Sequence, residues 1–474
     1  MKNKYIKRTV CIVLTLALAL GGLWYIDRIL RPKRPDGILT MQNLYAQREN
    51  SVDVLMVGNS HVGINVDTAT LWDEYGIAAY DLWGGVQPMW NSYYYLAEAL
   101  KTQTPKLVIL EVTAAISDYE YSEQSIQIKN TAGMKFSKNK LEAVKISAPE
   151  GERLNLLLGL PLYHGRFDEL DTEDFKNFPW SAGLENYKGS TLRYGVGSYC
   201  FESAEGVTES KEIMDKEREY LVKFIELCRE RDIPVMLLKS PALERREPQK
   251  VYNTVAELAA EYGIPFINMN LMDEELGIGP EDYSKDRHMN GDGARKVSGY
   301  LGAYIRENYD VPDRRGQAGY ESWTVNAAQV NDDYLMLIDK SSDYFRELAI
   351  NGRSVLIVKK EAWEDNEDYL ELLDMLEGIG ADKELISRSS NSAWLVSDSS
   401  GGEMLSSDDG HFNLDGRELV VSFEYQNVQY DGKKVMQFDP YDLCILAYDN
   451  VTHEIVDTAA FMRDMSYELY RPGD

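Results

Sequence analysis

A short polar turn, Gly58-Asn59-Ser60-His61, follows the apolar run Val52–Val57 and contains a serine placed for nucleophilic chemistry. In an open parallel sheet, ligands bind just beyond the carboxyl ends of the strands. A serine on a strand-to-helix turn at such an end exposes its hydroxyl, and its backbone N–H can stabilise an oxyanion. Because Gly-Asn-Ser is also an ordinary turn sequence, the segment alone leaves both interpretations open.

A matching base and carboxylate occur more than two hundred residues later, in Asp286-Arg287-His288-Met289-Asn290-Gly291. An imidazole can take the proton from a serine hydroxyl, and a neighbouring carboxylate can orient that imidazole. The chain has only five histidines, at positions 61, 164, 288, 411 and 453, so a histidine beside an aspartate is informative. The alternative is that Asp286 and Asn290 cap a helix and that His288 is a surface loop residue.

Apolar strand-like runs alternate with amphipathic helical segments between about residues 50 and 310, and these elements must position the two segments. The strand candidates are Val52–Val57, Ala78–Leu82, Leu107–Glu111, Pro234–Lys239 and Pro265–Asn268, and the helix candidates are Trp90–Lys101, Met214–Arg231, Val251–Tyr262 and Ala294–Asn308. The alternation predicts a mainly parallel sheet covered on both faces. With right-handed crossovers, the fold class is α/β, a three-layer α/β/α domain.

Residues 115–205 interrupt this alternation and are rich in Lys, Glu, Tyr, Gly and Ser. An insertion of this size on an α/β scaffold is more often a lid or a substrate-facing subdomain than part of the sheet. His164 lies within it, and we expect His164 to line the substrate groove. His61 and Gln87 are two further candidates for substrate-lining residues. For His61, the alternative is that it simply begins the helix after Ser60.

Taken together, Gly58-Asn59-Ser60 and Asp286-x-His288 resemble the first and last sequence blocks of the SGNH (GDSL-like) hydrolase superfamily. Asn59 replaces the aspartate of the usual Gly-Asp-Ser, and the last block has one residue fewer than the family's D-x-x-H. The shorter spacing resembles the alginate O-acetylation branch. The resemblance covers roughly residues 50–310 and implies a flavodoxin-like α/β/α domain with Ser60, Asp286 and His288 as catalytic residues.

The resemblance also implies an oxyanion hole formed by backbone N–H groups. One donor is Ser60 itself, and the second is a glycine of Trp83-Gly84-Gly85-Val86-Gln87, for which we expect Gly85 (or Gly84). A third donor, the asparagine of a Gly-x-Asn-Asp block, has no counterpart after Leu107–Glu111, which continues Val-Thr-Ala-Ala. The expected oxyanion hole is therefore incomplete relative to the family pattern.

The amino terminus predicts a membrane anchor. Four basic residues within positions 1–8 precede an uncharged run from Thr9 to Ile26, and about 20 such residues span a bilayer as a helix. Trp24 and Tyr25 suit an interfacial aromatic belt. The run lacks the short core and small-residue cleavage site of a signal peptide, so we expect an uncleaved single-pass anchor in the cell membrane with residues 35–474 extracytoplasmic.

With this anchor, the chain resembles the membrane-anchored surface-polymer acylation proteins, namely the alginate and peptidoglycan O-acetyltransferases and the teichoic-acid D-alanyl transfer protein. That resemblance implies an esterase or O-acyltransferase acting on acyl esters of a cell-surface polysaccharide through an acyl-serine intermediate, with no metal and no other cofactor. The partners it implies are a cell-surface glycan or wall polymer, the membrane, and a membrane-bound O-acyltransferase. The alternatives are D-alanyl transfer or simple ester hydrolysis on another wall polymer, and a non-catalytic anchored glycan-binding protein.

The composition excludes one class of partner. The formal net charge is -28, and such a surface repels phosphates, so we expect no nucleic-acid partner. The four cysteines, at positions 11, 200, 228 and 444, form no C-x-x-C arrangement, so neither a zinc site nor a redox centre is indicated.

After about residue 318 the pattern changes to short β-branched and aromatic runs between Gly and Asp turns, with one helix at Glu367–Ile379. The strand candidates are Tyr334–Ile338, Ser354–Lys359, Ala393–Val396, Leu419–Tyr425, Leu443–Tyr448 and Ile455–Ala460. We therefore divide the chain into residues 1–34 with the anchor, an SGNH-like domain over 35–317, and a β-rich α+β domain over 318–474.

This β-rich region faintly resembles the interleukin-like inducer (ILEI/PANDER) domain. The similar segments are Gly352–Val358 with the helix after it, Ser392–Val396, and the strand pair Asp442–Asp449 and Val456–Phe461 in permuted order. Some relatives of that domain bind glycans, so the resemblance implies a glycan-binding module. The alternative is a generic β-rich module that packs on the enzyme.

Overall fold

A computed structural model describes residues 2–32, 35–176, 184–200, 203–350, 352–360, 367–397, 401–406 and 409–471. The chain divides into two compact units, residues 1–323 and 324–474. The first unit holds a parallel sheet, and the second holds antiparallel sheets.

The strands of the first unit are β1 Val54–Gly58, β2 Ala79–Trp83, β3 Leu107–Glu111, β4 Val235–Lys239 and β5 Phe266–Asn268. Its helices are α1 Lys2–Leu30, α2 Thr40–Leu44, α3 Ser60–Gly63, α4 Thr68–Tyr75, α5 Met89–Ala99, α6 Gln124–Thr131, α7 Lys138–Ser147, α8 Glu150–Leu158, α9 Leu160–Tyr163, α10 Thr172–Lys176, α11 Asp215–Glu230, α12 Arg246–Tyr262, α13 Asp273–Leu276 and α14 Gly291–Asn308. Helix α15, Glu321–Leu335, crosses the division between the units.

The five strands pair in the order β2-β1-β3-β4-β5, and every pair is parallel. The chain moves from β1 to β2 in one direction and from β2 across β1 to β3 in the other. Right-handed crossovers therefore place α4 and α5 on opposite faces of the sheet. This arrangement confirms the predicted α/β fold with a parallel sheet covered by helices.

Side chains on both faces of the central strands are buried, and each face packs against different helices. On one face, Val54 and Met56 of β1 share a core with Leu71 of α4 and with Val297 and Leu301 of α14. On the other, α5 and α11 pack on each other and contact β1 and β4. Strands buried on both faces read as continuous apolar runs, which is the pattern of β1 and β3 in the sequence.

Helix α1 contains one stretch, Tyr5–Leu30, that is long and apolar enough to cross a membrane, and none of its most apolar window is buried inside the protein. The insertion that follows β3 is mainly helical and includes α6 to α10. Residues 177–183 and 201–202 of the insertion lie outside the described part of the chain.

The second unit is built on antiparallel strands. Its strands are β6 Arg353–Lys359, β7 Ser392–Ser397, β8 Gly401–Ser406, β9 Gly410–Leu414, β10 Arg417–Ser422, β11 Asn427–Tyr430, β12 Lys433–Gln437, β13 Leu443–Asp449 and β14 Glu454–Phe461, and its helices are α16 Ser341–Ile350, α17 Glu367–Gly378 and α18 Lys383–Arg388. They form one sheet of order β14-β13-β6-β7-β8 and another of order β12-β11-β10-β9. Leu356 and Leu446 of the first sheet share a core with Leu419 and Val428 of the second.

One strand predicted in this region is wrong. Tyr334 and Leu335 are the last residues of helix α15, and Met336–Ile338 form the turn that follows it. The apolar run Tyr-Leu-Met-Leu-Ile has no alternation that separates a strand from a buried helix end. Tyr334, Leu335 and Ile338 are buried, whereas Met336 and Leu337 are exposed, a spacing that belongs to a helix and its terminal turn.

Candidate active site

Ser60 lies immediately after β1, at the first position of the short helix α3. The side chain of Asn59 accepts a hydrogen bond from the backbone N–H of His61 at 3.0 Å and so caps this helix. Gly58 precedes the turn because space is short there: a Cβ at that position would lie 2.9 Å from the Cβ of Glu111 on β3. The glycine and the cap together hold the chain so that Ser60 is partly exposed at the carboxyl edge of the sheet.

His288 lies opposite Ser60, and its Nε2 is 2.8 Å from the Ser60 Oγ. The histidine is carried by a tight loop between Tyr283 and Met289, which pair as a single antiparallel bridge. Within the loop, the backbone N–H of Ser284 donates to the carbonyl of His288 at 2.9 Å. The structure thus brings together a hydroxyl and an imidazole that are 228 residues apart in the chain.

Asp286 is the carboxylate nearest to the His288 ring. Its Oδ1 lies 3.3 Å from the ring Nδ1, and the same oxygen accepts a 2.6 Å hydrogen bond from the Ser284 hydroxyl. Although the distance suits an ion pair, the buried Nδ1 makes no well-formed hydrogen bond. Asp286 therefore acts on the imidazole mainly through its charge, which raises the pKa of His288.

Burial and the neighbouring charges together shift the pKa values of His288 and Asp286. Burial lowers the pKa of His288, and the Arg193 guanidinium lowers it further, while Asp286 raises it. Partial burial tends to raise the pKa of Asp286, but hydrogen bonds from Ser284 and Arg193 and the nearby imidazole hold it well below the usual range. At neutral pH the site therefore contains a neutral imidazole beside a carboxylate anion, the ionisation that a general base requires.

Arg193 is a site residue that the sequence analysis missed. Its Nε donates to the Oδ2 of Asp286 at 2.7 Å, and its carbonyl accepts a hydrogen bond from the N–H of Gly291 at 2.8 Å. Thr191, two residues earlier, donates its N–H to the carbonyl of Gly63 at the end of α3. The final part of the insertion thus contacts both the serine helix and the histidine loop.

Asn65 links three of the loops around Ser60 and was also missed. Its Oδ1 accepts the backbone N–H of Met289, next to His288, at 3.2 Å, and this fixes the orientation of the amide. Its Nδ2 lies 3.1 Å from the Nδ1 of His61, from the Ser240 hydroxyl and from the Pro241 carbonyl. A fully buried amide therefore holds α3, the end of β4 and the histidine loop in a fixed arrangement.

His61 lies beside the pair rather than within it. Its ring centroid is 5.5 Å from that of His288. Burial lowers its pKa well below the ordinary value, and the charge of Lys239 contributes. His61 is therefore neutral at neutral pH, and its ring lies next to the imidazole of His288.

The glycines after β2 occupy the turn Gly84–Gln87. The N–H of Gly84 is directed at the carbonyl of Gly58, 3.4 Å away, which leaves the N–H of Gly85 as the candidate oxyanion donor. The Gly85 carbonyl accepts a hydrogen bond from Asn130 Nδ2 at 3.1 Å, so the insertion also supports this turn. Val86 adopts a φ of 50°, a strained backbone for a β-branched residue.

Two of the predicted substrate-lining residues lie elsewhere. Gln87 is fully buried and donates to the Ser92 hydroxyl at 3.0 Å, so it has no surface to offer a substrate. His164 is exposed, but its neighbour Arg166 donates to the carbonyl of Leu30 at 2.9 Å, which places this segment beside the end of α1. The sequence around His164 and Gln87 does not show whether either side chain lines a groove.

A buried ion pair lies behind the serine turn. Lys239, the last residue of β4, donates from Nζ to Glu111 Oε1 at 3.2 Å, and both side chains are essentially inaccessible. Glu111 also accepts hydrogen bonds from the N–H and hydroxyl of Thr113 at 2.9 and 2.6 Å.

Among the residues that the structure describes, no cluster of three or more His, Cys, Asp or Glu is placed to hold a metal ion.

No protein-family model and no curated protein sequence matches the chain. Among solved structures, it is similar to a protein from Bacteroides fragilis NCTC 9343 named as an acylhydrolase, at 14% identity and a TM-score of 0.29, over 56% of this chain and 93% of that one. A GDSL-like lipase from Bacteroides thetaiotaomicron VPI-5482 is similar at 15% identity and a TM-score of 0.29, over 56% and 94%. A gut microbial diltiazem-metabolizing enzyme is similar at 14% identity and a TM-score of 0.22, over 55% and 47%.

Proposed function

We propose that the chain is a serine esterase or O-acyltransferase of the SGNH type, in which Ser60 is the nucleophile and His288 the general base. The observation that carries the proposal is the 2.8 Å separation of Ser60 Oγ and His288 Nε2 at the carboxyl edge of a parallel sheet. Neutral His288 and anionic Asp286 are in the ionisation states that deprotonation of a serine requires.

The proposed reaction proceeds in two steps. In the first, Ser60 Oγ attacks the ester carbonyl carbon as its proton passes to His288 Nε2. The carbon–oxygen bond of the ester then breaks, and the leaving alcohol takes that proton from the imidazolium. In the second, a water or a sugar hydroxyl gives its proton to His288 and attacks the acyl-serine, and the proton returns to Ser60 as the new ester or acid leaves.

We propose that the backbone N–H groups of Ser60 and Gly85 stabilise the tetrahedral oxyanion. The N–H of Gly84 donates to the carbonyl of Gly58, so Gly85 is favoured over Gly84 as the donor. Asp286 stabilises the imidazolium that forms at His288, and removing such a carboxylate typically slows a serine hydrolase by about 10⁴ in kcat.

The proposed location is outside the membrane, with α1 as a single-pass anchor and residues 35–474 extracytoplasmic. The length and apolar character of α1 support the anchor. The proposed substrate is an acyl ester of a cell-surface polysaccharide. In the transfer form of the reaction, a membrane-bound O-acyltransferase would supply the acyl group and the polymer hydroxyl would receive it.

A fluorophosphonate probe tests the nucleophile directly, because it phosphonylates an activated serine and no other hydroxyl. The full-length chain in detergent should be labelled, and Ser60→Ala should abolish labelling. Ser210→Ala is the matched control, since the Ser210 hydroxyl donates to Glu257 at 2.6 Å and has no imidazole to activate it. If the wild type is not labelled while its circular dichroism shows a folded chain, the non-catalytic glycan-binding alternative replaces the enzyme.

Hydrolysis and transfer are separated by the fate of the acyl group. The wild type is given an aryl acetate with and without an acetyl-free glycan, and acetate and acetylated glycan are both measured. Acetate released at the same rate in the two conditions indicates an esterase. Acetylated glycan formed at the expense of free acetate indicates a transferase.

A further inference from the structure

A cavity of about 450 Å³ opens at the carboxyl end of α1, remote in sequence from Ser60 and from the histidine loop. Its walls come from the last turns of α1, from the segment around Tyr45, and from the insertion between α6 and α8. The insertion contacts this end of α1 elsewhere too, through α9 and α10. The cavity is therefore formed jointly by the membrane-length helix and by the segment that interrupts the sheet.

The cavity is strongly cationic in a protein whose net charge is -28. Arg28, Arg31, Lys135 and Lys140 line it, and Asp27 is the one acidic residue among its lining residues. Arg31 forms an ion pair with Asp27, and the lining as a whole has more basic than acidic side chains. This local excess has the opposite sign to the rest of the molecule, so it points to an anionic occupant.

Lys140 is the most enclosed of these cations. It is 6% exposed, and its Nζ donates to the carbonyl of Met134 at 3.3 Å. Burial, with the nearby charge of Arg31, lowers the pKa of Lys140 to about 8. An anion bound in the cavity would favour the charged form of Lys140 and so raise its pKa again.

The rim of the cavity is apolar. Phe136 is 76% exposed, Leu158 is 58% exposed, and Trp24 of α1 is 46% exposed. Phe167 and Phe175, in the segments that contact α1, are also exposed. Large apolar side chains exposed around a cationic cavity suit acyl chains that continue away from a charged group.

The position of the cavity along α1 also suits a ligand with a charged group and acyl chains. The apolar stretch Tyr5–Leu30 has 26 residues, which is about 39 Å of helix at about 1.5 Å per residue. A hydrocarbon core is about 30 Å thick, so the last turns of α1 lie at the headgroup level, where Trp and Arg side chains are favoured. The cavity residues Trp24, Arg28 and Arg31 belong to those turns.

We infer that this cavity binds the phosphate headgroup of an anionic phospholipid from the membrane that α1 crosses, with the acyl chains resting against Trp24, Phe136 and Leu158. The inference rests on α1 spanning a membrane and does not depend on the chemistry of Ser60. The bound lipid fixes the insertion against the bilayer surface. Zwitterionic lipids bind more weakly, because their cationic group meets the same arginine and lysine side chains.

Native mass spectrometry of the full-length chain in detergent tests the inference, with phosphatidylglycerol and phosphatidylcholine of identical acyl chains as probes. We expect phosphatidylglycerol to bind the wild type about 10-fold more tightly, because its headgroup has a net negative charge and basic side chains predominate in the cavity. Lys135→Glu should abolish this preference. Lys138→Glu is the matched control, because Lys138 is exposed three residues away and does not line the cavity.

Three results would overturn the inference. Equal affinity for the two lipids would mean that the cavity does not recognise the headgroup. Equal losses of affinity in Lys135→Glu and Lys138→Glu would mean that binding depends on general surface charge. Displacement of the lipid by millimolar inorganic phosphate would indicate a site for free phosphate. Lys135→Gln provides a milder second variant, and an unchanged thermal unfolding midpoint of each variant shows that the loss is local.

Discussion

The guanidinium of Arg193 and the carboxylate of Asp286 form a 2.7 Å ion pair beside His288. The carboxylate that faces the imidazole is therefore shared with a cation from the insertion, and its other oxygen is held by the Ser284 hydroxyl. Such an arrangement fixes Asp286 in place and also puts a positive charge close to the imidazole of His288. In the proposed mechanism, Arg193 is therefore a positioning residue that acts on both the base and the carboxylate.

Replacing Arg193 should shift the pH dependence of the reaction. Burial lowers the pKa of His288 below its ordinary value of 6.5, and Arg193 lowers it further. His288 must be neutral to accept a proton, so kcat/KM falls as the pH drops through its pKa. Arg193→Gln removes one charge that lowers the pKa of His288, so the midpoint of the acid limb should move to higher pH. The measurement is kcat/KM for an aryl ester between pH 4 and 8.

Arg287→Gln is the control for this shift. Arg287 belongs to the same loop, but its guanidinium pairs with Glu244 at 2.9 Å, and it is not among the charges that act on His288. The control should keep the wild-type midpoint. A midpoint that moves equally in both variants, or moves to lower pH in Arg193→Gln, would contradict the assigned role of Arg193.

Asn65 should matter for catalysis although it touches no substrate. Asn65→Ala removes the hydrogen bonds that join α3 to Met289 and to Ser240. The Ser60–His288 distance is then no longer fixed, and a misplacement of about 1 Å can cost about 100-fold in rate. We expect kcat to fall by about that factor with a small change in KM. Steady-state kinetics on an aryl acetate measure both constants.

The matched control for this effect is Asn253→Ala. Asn253 also joins a loop to a helix through its amide, which donates to the carbonyls of Val207 and Glu209 at 3.1 and 2.8 Å. Asn253 is only half-buried, so its loss should lower the unfolding free energy by about 0.5–1.5 kcal/mol and leave kcat unchanged. If kcat falls equally in the two variants, Asn65 acts only through global stability.

The parts of the site that were predictable from the sequence are those fixed by strand and helix order. Ser60 follows a recognisable buried strand, and His288 precedes a recognisable amphipathic helix, so parallel topology alone brings both to one edge. Arg193 and Asn65 carry no comparable signal. Arg193 lies in an irregular segment, and Asn65 acts through hydrogen bonds to loops distant in sequence.

The errors have a common physical origin. The orientation of a side chain in a turn depends on the backbone dihedral angles, and a residue pattern does not specify them. Gln87 follows two glycines at a strand end, yet the turn directs it inward to Ser92. Tyr334–Ile338 has the composition of a strand, yet its first two residues are the end of helix α15. The packing of that helix, which buries Tyr334 and Leu335, decides the structure of the segment.

The buried pair of Lys239 and Glu111 should be costly to break. Both side chains are inaccessible, and removing one partner leaves an uncompensated charge, which typically costs about 3–5 kcal/mol. We expect Lys239→Met to lower the free energy of unfolding by about that amount in urea titrations. Burial lowers the pKa of Lys239 and Glu111 raises it, so the partner carboxylate stabilises the charged lysine in the interior.

Two further variants separate the loss of the pair from the loss of a lysine. Lys223→Met removes a lysine on α11 that pairs with Glu219 at a partly exposed position, and it should cost less than about 1 kcal/mol. The double replacement of Lys239 by Met and Glu111 by Leu should recover part of the stability, since no charge is then left unpaired. A double variant less stable than Lys239→Met alone would contradict this account.

Glu217 on α11 should make the fold less stable as the pH rises. Burial raises its pKa from 4.5 to about 8, although its carboxylate accepts the N–H of Met89 at 2.8 Å. The unfolded chain ionises near pH 4.5, whereas the folded chain keeps the proton until about pH 8. Folding stability is therefore retained below pH 4.5 and decreases between those values, by on the order of 1 kcal/mol per pH unit. Urea unfolding at several pH values measures the slope.

Glu217→Gln removes this dependence, because the amide oxygen can still accept from Met89 while no charge forms in the interior. The variant should be more stable than the wild type at pH 8 and close to it at pH 4.5. Glu219→Gln, at a 57% exposed position two residues along the same helix, should leave the wild-type slope in place. If the free energy of unfolding rises by the same amount between pH 4.5 and 8 in the wild type and in both variants, Glu217 ionises normally in the folded state.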